Sequence, residues 1–235
     1  MYTHHPVTAP PVAPVRETTG HLLLRGWCVA VVLLAFGGVG LVNAVGAVVT
    51  GVVVIASAAV SAVVWIVVRP PVAWRRLPWL AFGYVGWALL SILWSAWPAA
   101  SVLTWSMLAI TTFQGLFVGA MLTWRDVVRT VASAAKWIVA LSLLFELAVS
   151  VIVRGPLLPG FVVPSERMDP IVYWSRDNLL DGGRIQGVFG NANLLAAVMA
   201  VAIIVFAVRF AARAPRRSLL LVWIAVAAFL FVRAG

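Results

Sequence analysis

What most constrains this chain is a row of apolar runs, each about the length needed to cross a bilayer. A transmembrane helix takes about 20 mainly apolar residues to span roughly 30 Å of hydrocarbon. Seven stretches meet or approach that length, at 26–43, 45–68, 78–96, 102–122, 133–153, 188–208 and 219–235. Composition closes off the water-soluble alternative, since 63% of the 235 residues are apolar, 10% are charged and the mean hydropathy is +1.06. Too few polar side chains are present to coat a soluble globule of this size. The expected fold class is therefore all-α, a polytopic transmembrane helix bundle. Residues 21–235 would form the membrane domain, while 1–20, with Pro6, Pro10, Pro11 and Pro14, read as a disordered tail. The first apolar run is long for a signal peptide and lacks a clear small-x-small cleavage site, which makes it an uncleaved anchor.

The formal charge of +10, from 17 basic and 7 acidic side chains, would suggest nucleic acid in a soluble protein. In a membrane protein the positions of the cations matter more, because short cytoplasmic loops collect Arg and Lys. With the N-terminus cytoplasmic, the inner side receives Arg16, Arg25, Arg69, Arg75, Arg76, Arg125, Arg129, Lys136, Arg209, Arg213, Arg216 and Arg217. The outer side receives Arg154, Arg167, Arg176 and Arg184, balanced by Glu166, Asp169, Asp177 and Asp181, and finally Arg233. Every short basic loop then falls inside. Trp27, Trp65, Trp79, Trp94, Trp124 and Trp137 lie near expected helix ends, where an amphipathic ring prefers the headgroup region. The basic balance thus reads as topology and attraction to anionic membrane lipids, with no nucleic-acid partner. Cys28 is alone, and His4, His5 and His21 all precede the first run, so no disulfide, metal site or cofactor is implied.

Three features rise above this lipid-facing background. The first is the outer loop 154–184, far longer than the other outer connections, with Pro156, Pro159, Pro164 and Pro170 against one continuous helix. Within it, Ile171–Trp174 form an apolar patch able to rest on a membrane surface. The second feature is the segment from Arg184 to Ala196, Arg-Ile-Gln-Gly-Val-Phe-Gly-Asn-Ala-Asn-Leu-Leu-Ala. Asn191 or Asn193 can cap the helix that begins there, and Gly187 allows conformations closed to bulkier residues. An outward-facing helix N-terminus with Arg184 beside it also suits an anion, since a guanidinium can grip phosphate through two parallel hydrogen bonds. The third is Glu146, about seven residues before the outer end of its helix, or roughly 10 Å at 1.5 Å per residue. A carboxylate at that depth faces protein or water. It could pair with Arg154 or Arg184, act as a base, or only orient helices. Gln114 reads as an interhelical hydrogen-bonding amide.

The Arg184–Ala196 pattern, with Arg184, Gly187, Phe189, Asn191 and Asn193 in register, resembles the signature of the O-antigen ligase and O-antigen polymerase family of bacterial envelope proteins. That family usually has Pro where this chain has Ala192, and its members tend to continue past an Arg-Ala-Gly like Arg233–Gly235 into a Ser-Arg pair. The resemblance implies a multi-pass enzyme of the bacterial cytoplasmic membrane. It would act without metal or other cofactor, transferring a glycan from a polyprenyl diphosphate carrier to an acceptor on the outer face. Arg184 and Arg233 would hold the donor's diphosphate. The catalytic base is open, with Glu146 as the candidate within the chain. The apolar run ending at Gly235 leads us to expect further helices beyond it. A transporter or permease for a lipid-linked or anionic solute is the alternative, though the notable residues gather at the outer face and no internal repeat is evident.

Overall fold

The computed structural model describes residues 18–72, 75, 77–165 and 168–235. Arg16, Arg76, Glu166, Arg167 and residues 1–17 of the expected tail lie outside them. Among the described residues the chain is helical, with no strand beyond an isolated antiparallel bridge between Leu157 and Ser175.

Helix α1 spans Thr19–Val45, starting earlier than the expected 26 because the Thr18 hydroxyl caps it, accepting the His21 N–H at 3.3 Å. The last residues of the expected tail are therefore helical. A single residue, Gly46 at φ 84°, turns the chain into α2, Ala47–Val68. Next comes α3, Trp79–Leu90, which tightens into a 3-10 turn over Ser91–Trp94. The apolar run at 78–96 thus yields a shorter helix than expected. Ser91 turns its hydroxyl back to Ala88 O at 2.7 Å, and the chain becomes extended at Ser95.

Helix α4 covers Pro98–Met121 with proline at its first position. Then α5, Trp124–Ala148, begins well before the expected 133. Its first turns carry Arg125, Asp126 and Arg129, too polar for an apolar scan, yet the Thr123 hydroxyl caps them, accepting the Asp126 N–H at 3.3 Å and donating to Asp126 Oδ2 at 2.6 Å. A π-helical turn, Val149–Val153, ends it. The chain then passes through a short helix, α6 (Asn178–Asp181), before α7 (Ala192–Ala211) and α8 (Arg217–Ala234). Six of these helices are long and apolar enough to cross a membrane, so the chain is a multi-pass membrane protein.

Short turns make successive helices antiparallel, and α5 lies at the centre. Its Ala132, Ala135, Ile138 and Val139 pack with Met199, Ala202 and Phe206 of α7 and Ala227 and Leu230 of α8. Alanines at these contacts let backbones approach closely, which is how helices associate where lipid is as apolar as leucine. A second cluster joins Cys28 and Val31 of α1 to Phe117 and Val118 of α4. Polar links run between helices too: Trp27 Nε1 donates to Ser61 Oγ at 3.0 Å and Gln114 Nε2 to Ser57 Oγ at 3.1 Å, so Gln114 does bridge α4 to α2.

The α1–α2 turn, the loop after α5, the start of α7 and the end of α8 meet on one side, the loop face. Asn43 Nδ2 reaches Phe189 O at 3.0 Å, and the Ile185 N–H reaches Arg233 O at 3.0 Å. The other side carries Arg69, Arg75, Arg125, Arg129, Arg213, Arg216 and Arg217 and forms the arginine face. Cys28 is wholly buried, so an impermeant maleimide should leave the unmodified protein unlabelled. Asp169→Cys and Ala212→Cys should label from opposite sides of sealed vesicles, and labelling of both from the same side would refute this topology.

Candidate functional site

The site is built on the last turns of α5. Glu146 is fully buried there, surrounded by apolar helix and by the loop that descends onto it. Its Oε1 accepts the Gln186 N–H at 2.9 Å and the Gly187 N–H at 2.6 Å, while its Oε2 accepts the Ser175 hydroxyl at 3.1 Å. These partners correct the expected pairing with Arg154 or Arg184. Arg154 instead turns its Nε to Val151 O at 3.0 Å, and Arg184 points to the other side of the loop. Bound from three directions, Glu146 is placed to hold the loop; its two oxygens are already occupied by protein donors.

The loop folds around this anchor. Leu157 and Ser175 form the bridge, and Trp174 turns inward, donating Nε1 to Val188 O at 2.8 Å and stacking on Phe145 with ring centroids 4.7 Å apart. The expected membrane-resting patch is thereby split, with Ile171 exposed and Trp174 part of the fold. Gln186 Oε1 accepts the Arg176 N–H at 3.1 Å, and Asn178 Nδ2 donates to Arg184 O at 2.8 Å. Long loops in membrane proteins need such satisfaction, because an unpaired backbone group away from water is costly.

The Arg184–Ala196 segment forms the next layer. Gly187–Phe189 make a 3-10 turn rather than the first turn of the following helix, which starts at Ala192 instead of the expected 188. Gly187 has φ +57°, and a Cβ there would stand 2.9 Å from Leu195 Cδ1 and 3.1 Å from Ser142 Oγ. Glycine is needed for both the backbone conformation and the space. Phe189 is buried in the core cluster, its turn packed on α5, α1 and α7. Of the two asparagines, Asn191 is the cap, its Oδ1 accepting the Leu194 N–H at 3.1 Å. Asn193, inside the first turn, accepts Arg184 Nη2 at 2.6 Å.

Arg184 and Arg233 come together at the end of α8. Arg184 Nε donates to Ala234 O at 2.8 Å, Arg233 Nη2 donates to Asn178 O at 2.7 Å and Leu179 O at 2.8 Å, and the Ile185 N–H closes onto Arg233 O. Each guanidinium has five N–H donors, and the two heads are engaged differently, that of Arg184 with Ala234 O and Asn193 and that of Arg233 with the α6 carbonyls. The arrangement presents an exposed Arg184, a half-buried Arg233 and Asn193 at the loop-face mouth. Ser175, Asn178 and Asn43 had no sequence signal, since their partners lie 29, 6 and 146 residues away and only folding selects them. On the α1 side of the 3-10 turn, Trp174 and Val188 roof an almost wholly apolar cavity of about 530 Å³ lined by Trp27, Leu34, Gly40 and Leu141. Among the described residues no group of His, Cys, Asp and Glu could hold a metal ion.

Comparisons with protein-family models, characterised proteins and solved structures return no match for this chain.

Two substitutions test the anchor. Glu146→Ala orphans buried donors at about 1–3 kcal/mol each. It should lower the melting temperature in detergent and open the 154–191 segment to protease, whereas Glu146→Gln, which keeps a carbonyl oxygen for the two N–H groups, should fall between Ala and the parent. An alanine variant as stable and protease-resistant as the parent would remove the anchoring role. Gly187→Ala should destabilise by about 1–2 kcal/mol from its left-handed backbone, read by the same thermal melt.

Proposed function

We propose that the protein is a glycan ligase or polymerase of the bacterial cytoplasmic membrane, transferring a sugar chain from a polyprenyl diphosphate carrier to an acceptor at the loop face. The observation that carries this reading is the meeting of Arg184, Asn193 and Arg233 at one mouth of the bundle, within a motif that resembles the O-antigen ligase and polymerase family. In this reading the loop face is external and the arginine face cytoplasmic, as the positive-inside rule requires.

The chemistry follows from charge. As the glycosidic bond to the carrier breaks, negative charge builds on the departing diphosphate, and two prearranged guanidiniums stabilise it more than they stabilise the intact donor. Both arginines are held by backbone carbonyls before substrate arrives, so little reorganisation is needed. The apolar cavity beneath Trp174 and Val188 opens beside the same turn and suits part of a hydrocarbon chain. The acceptor hydroxyl must lose a proton to a base. Glu146 no longer suits that role, because its oxygens are taken up by Gln186, Gly187 and Ser175. A mid-membrane transport site is less well supported, since the polar cluster sits at one face.

Arg184→Ala in membranes supplied with labelled polyprenyl diphosphate glycan should reduce transfer by roughly 10²-fold or more, the scale for removing one transition-state donor. Arg184→Lys should recover only part of it, because an ammonium cannot reproduce bidentate geometry. Undiminished transfer by the alanine variant at equal protein level and equal melting temperature would overturn the proposal.

A further inference from the structure

Away from the motif, α3 rises from the arginine face and packs mainly on α4. None of its residues is buried, and Trp105 Nε1 of α4 tethers it by donating to Val85 O at 3.1 Å. Between α2, α3 and α4 lies a cleft of about 980 Å³, nearly twice the other cavity's 530 Å³ and lined mainly by apolar groups. Trp65 forms its back wall, its ring packed at 6.2 Å from Phe113 and 6.4 Å from Phe117, and Phe82 lines it from α3. The α4 side is floored by Gly115 and Gly119, where an added Cβ would meet no heavy atom within 4 Å. The small residues therefore border open space and serve no close helix contact.

The described part of the α2–α3 linker borders the mouth of the cleft. Pro71, Val72, Leu77 and Pro78 line it, and exposed Arg69 and Arg75 are their neighbours in the linker, beside the lining, with Arg69 Nε donating to Ile66 O at 3.3 Å. Among the described residues the acid on this face is Asp126, which is engaged by Arg129 at 3.4 Å. An apolar cleft within a bilayer fills with hydrocarbon. Cations beside the mouth at headgroup level add a preference for negative charge.

We propose that the cleft between α2, α3 and α4 binds one anionic phospholipid, with its acyl chains against Trp65, Phe82, Gly115 and Gly119 and its phosphate met by Arg69 and Arg75 beside the mouth. This site is independent of the glycan-transfer reading and uses none of its residues.

Native mass spectrometry of the delipidated full chain, titrated with phosphatidylglycerol or phosphatidylcholine of matched acyl chains, tests it. One phosphatidylglycerol should bind roughly tenfold or more tightly than phosphatidylcholine. Gly119→Leu fills open space, so the variant should fold, and it should lose binding of both lipids at this stoichiometry. Arg69→Gln with Arg75→Gln should keep lipid binding while erasing the headgroup preference, whereas Arg213→Gln with Arg217→Gln, on the same face but outside the linker, should preserve it. Equal binding of the two lipids by the parent, undiminished phosphatidylglycerol binding by a folded Gly119→Leu, or equal loss of preference in both arginine pairs would overturn the proposal. So would a parent dimer that Gly119→Leu converts to monomer, since a second copy would then be the occupant.

Discussion

Inside a bilayer, each backbone N–H that leaves a helix needs a partner from the protein itself, and at the loop face that partner is the Glu146 carboxylate. It takes the Gln186 and Gly187 N–H groups on one oxygen and the Ser175 hydroxyl on the other. Two of these donors are neighbours in the motif and the third comes from the loop before it. With them held, Trp174 can turn inward onto Phe145, and Phe189 can bury in the core cluster with residues of α5 and α7. A buried carboxylate without a cation is tolerable only when hydrogen bonds replace its hydration, and here three do.

The arginines of the loop face act one layer further out. Arg184 and Arg233 satisfy carbonyls at the end of α8 and in α6, joining the last helix to the loop. Basic side chains at a helix C-terminus also oppose the helix dipole favourably. The same contacts fix the Arg184 guanidinium beside Asn193, so under the proposed function structural bracing and anion recognition would draw on one arrangement. The arginine face differs in kind. There the cations are mostly exposed, and the apolar cleft behind the α2–α3 linker is left open by glycine and a short, loosely packed α3.

Much of the architecture was legible from apolar runs, because crossing a bilayer demands length and hydropathy that no other structure needs. Errors fell where local chemistry competes with that signal. The start of α5 was hidden by Arg125, Asp126 and Arg129, although the Thr123 cap was there to be read. The shortness of α3 comes from the 3-10 turn at Ser91–Trp94 and the extended Ser95, which nothing in the apolar run marks. For the site, Arg184, Gly187, Phe189, Asn191 and Asn193 could be singled out as a linear motif, and Glu146 by its depth in an apolar helix. Which asparagine caps and which accepts from Arg184 depended on a helix boundary that no periodicity marks.

By itself, then, the sequence determined an all-helical membrane bundle, the gathering of basic residues toward one face, and a polar motif at the opposite mouth. Those follow from transfer free energies along the chain, which are local. Only the tertiary structure decided that Glu146 meets Gln186, Gly187 and Ser175 in place of an arginine, and that Arg184 and Arg233 close on the end of α8. Pairings across 29 to 55 residues are selected by which donors folding strands away from water, and that is settled when the helices pack.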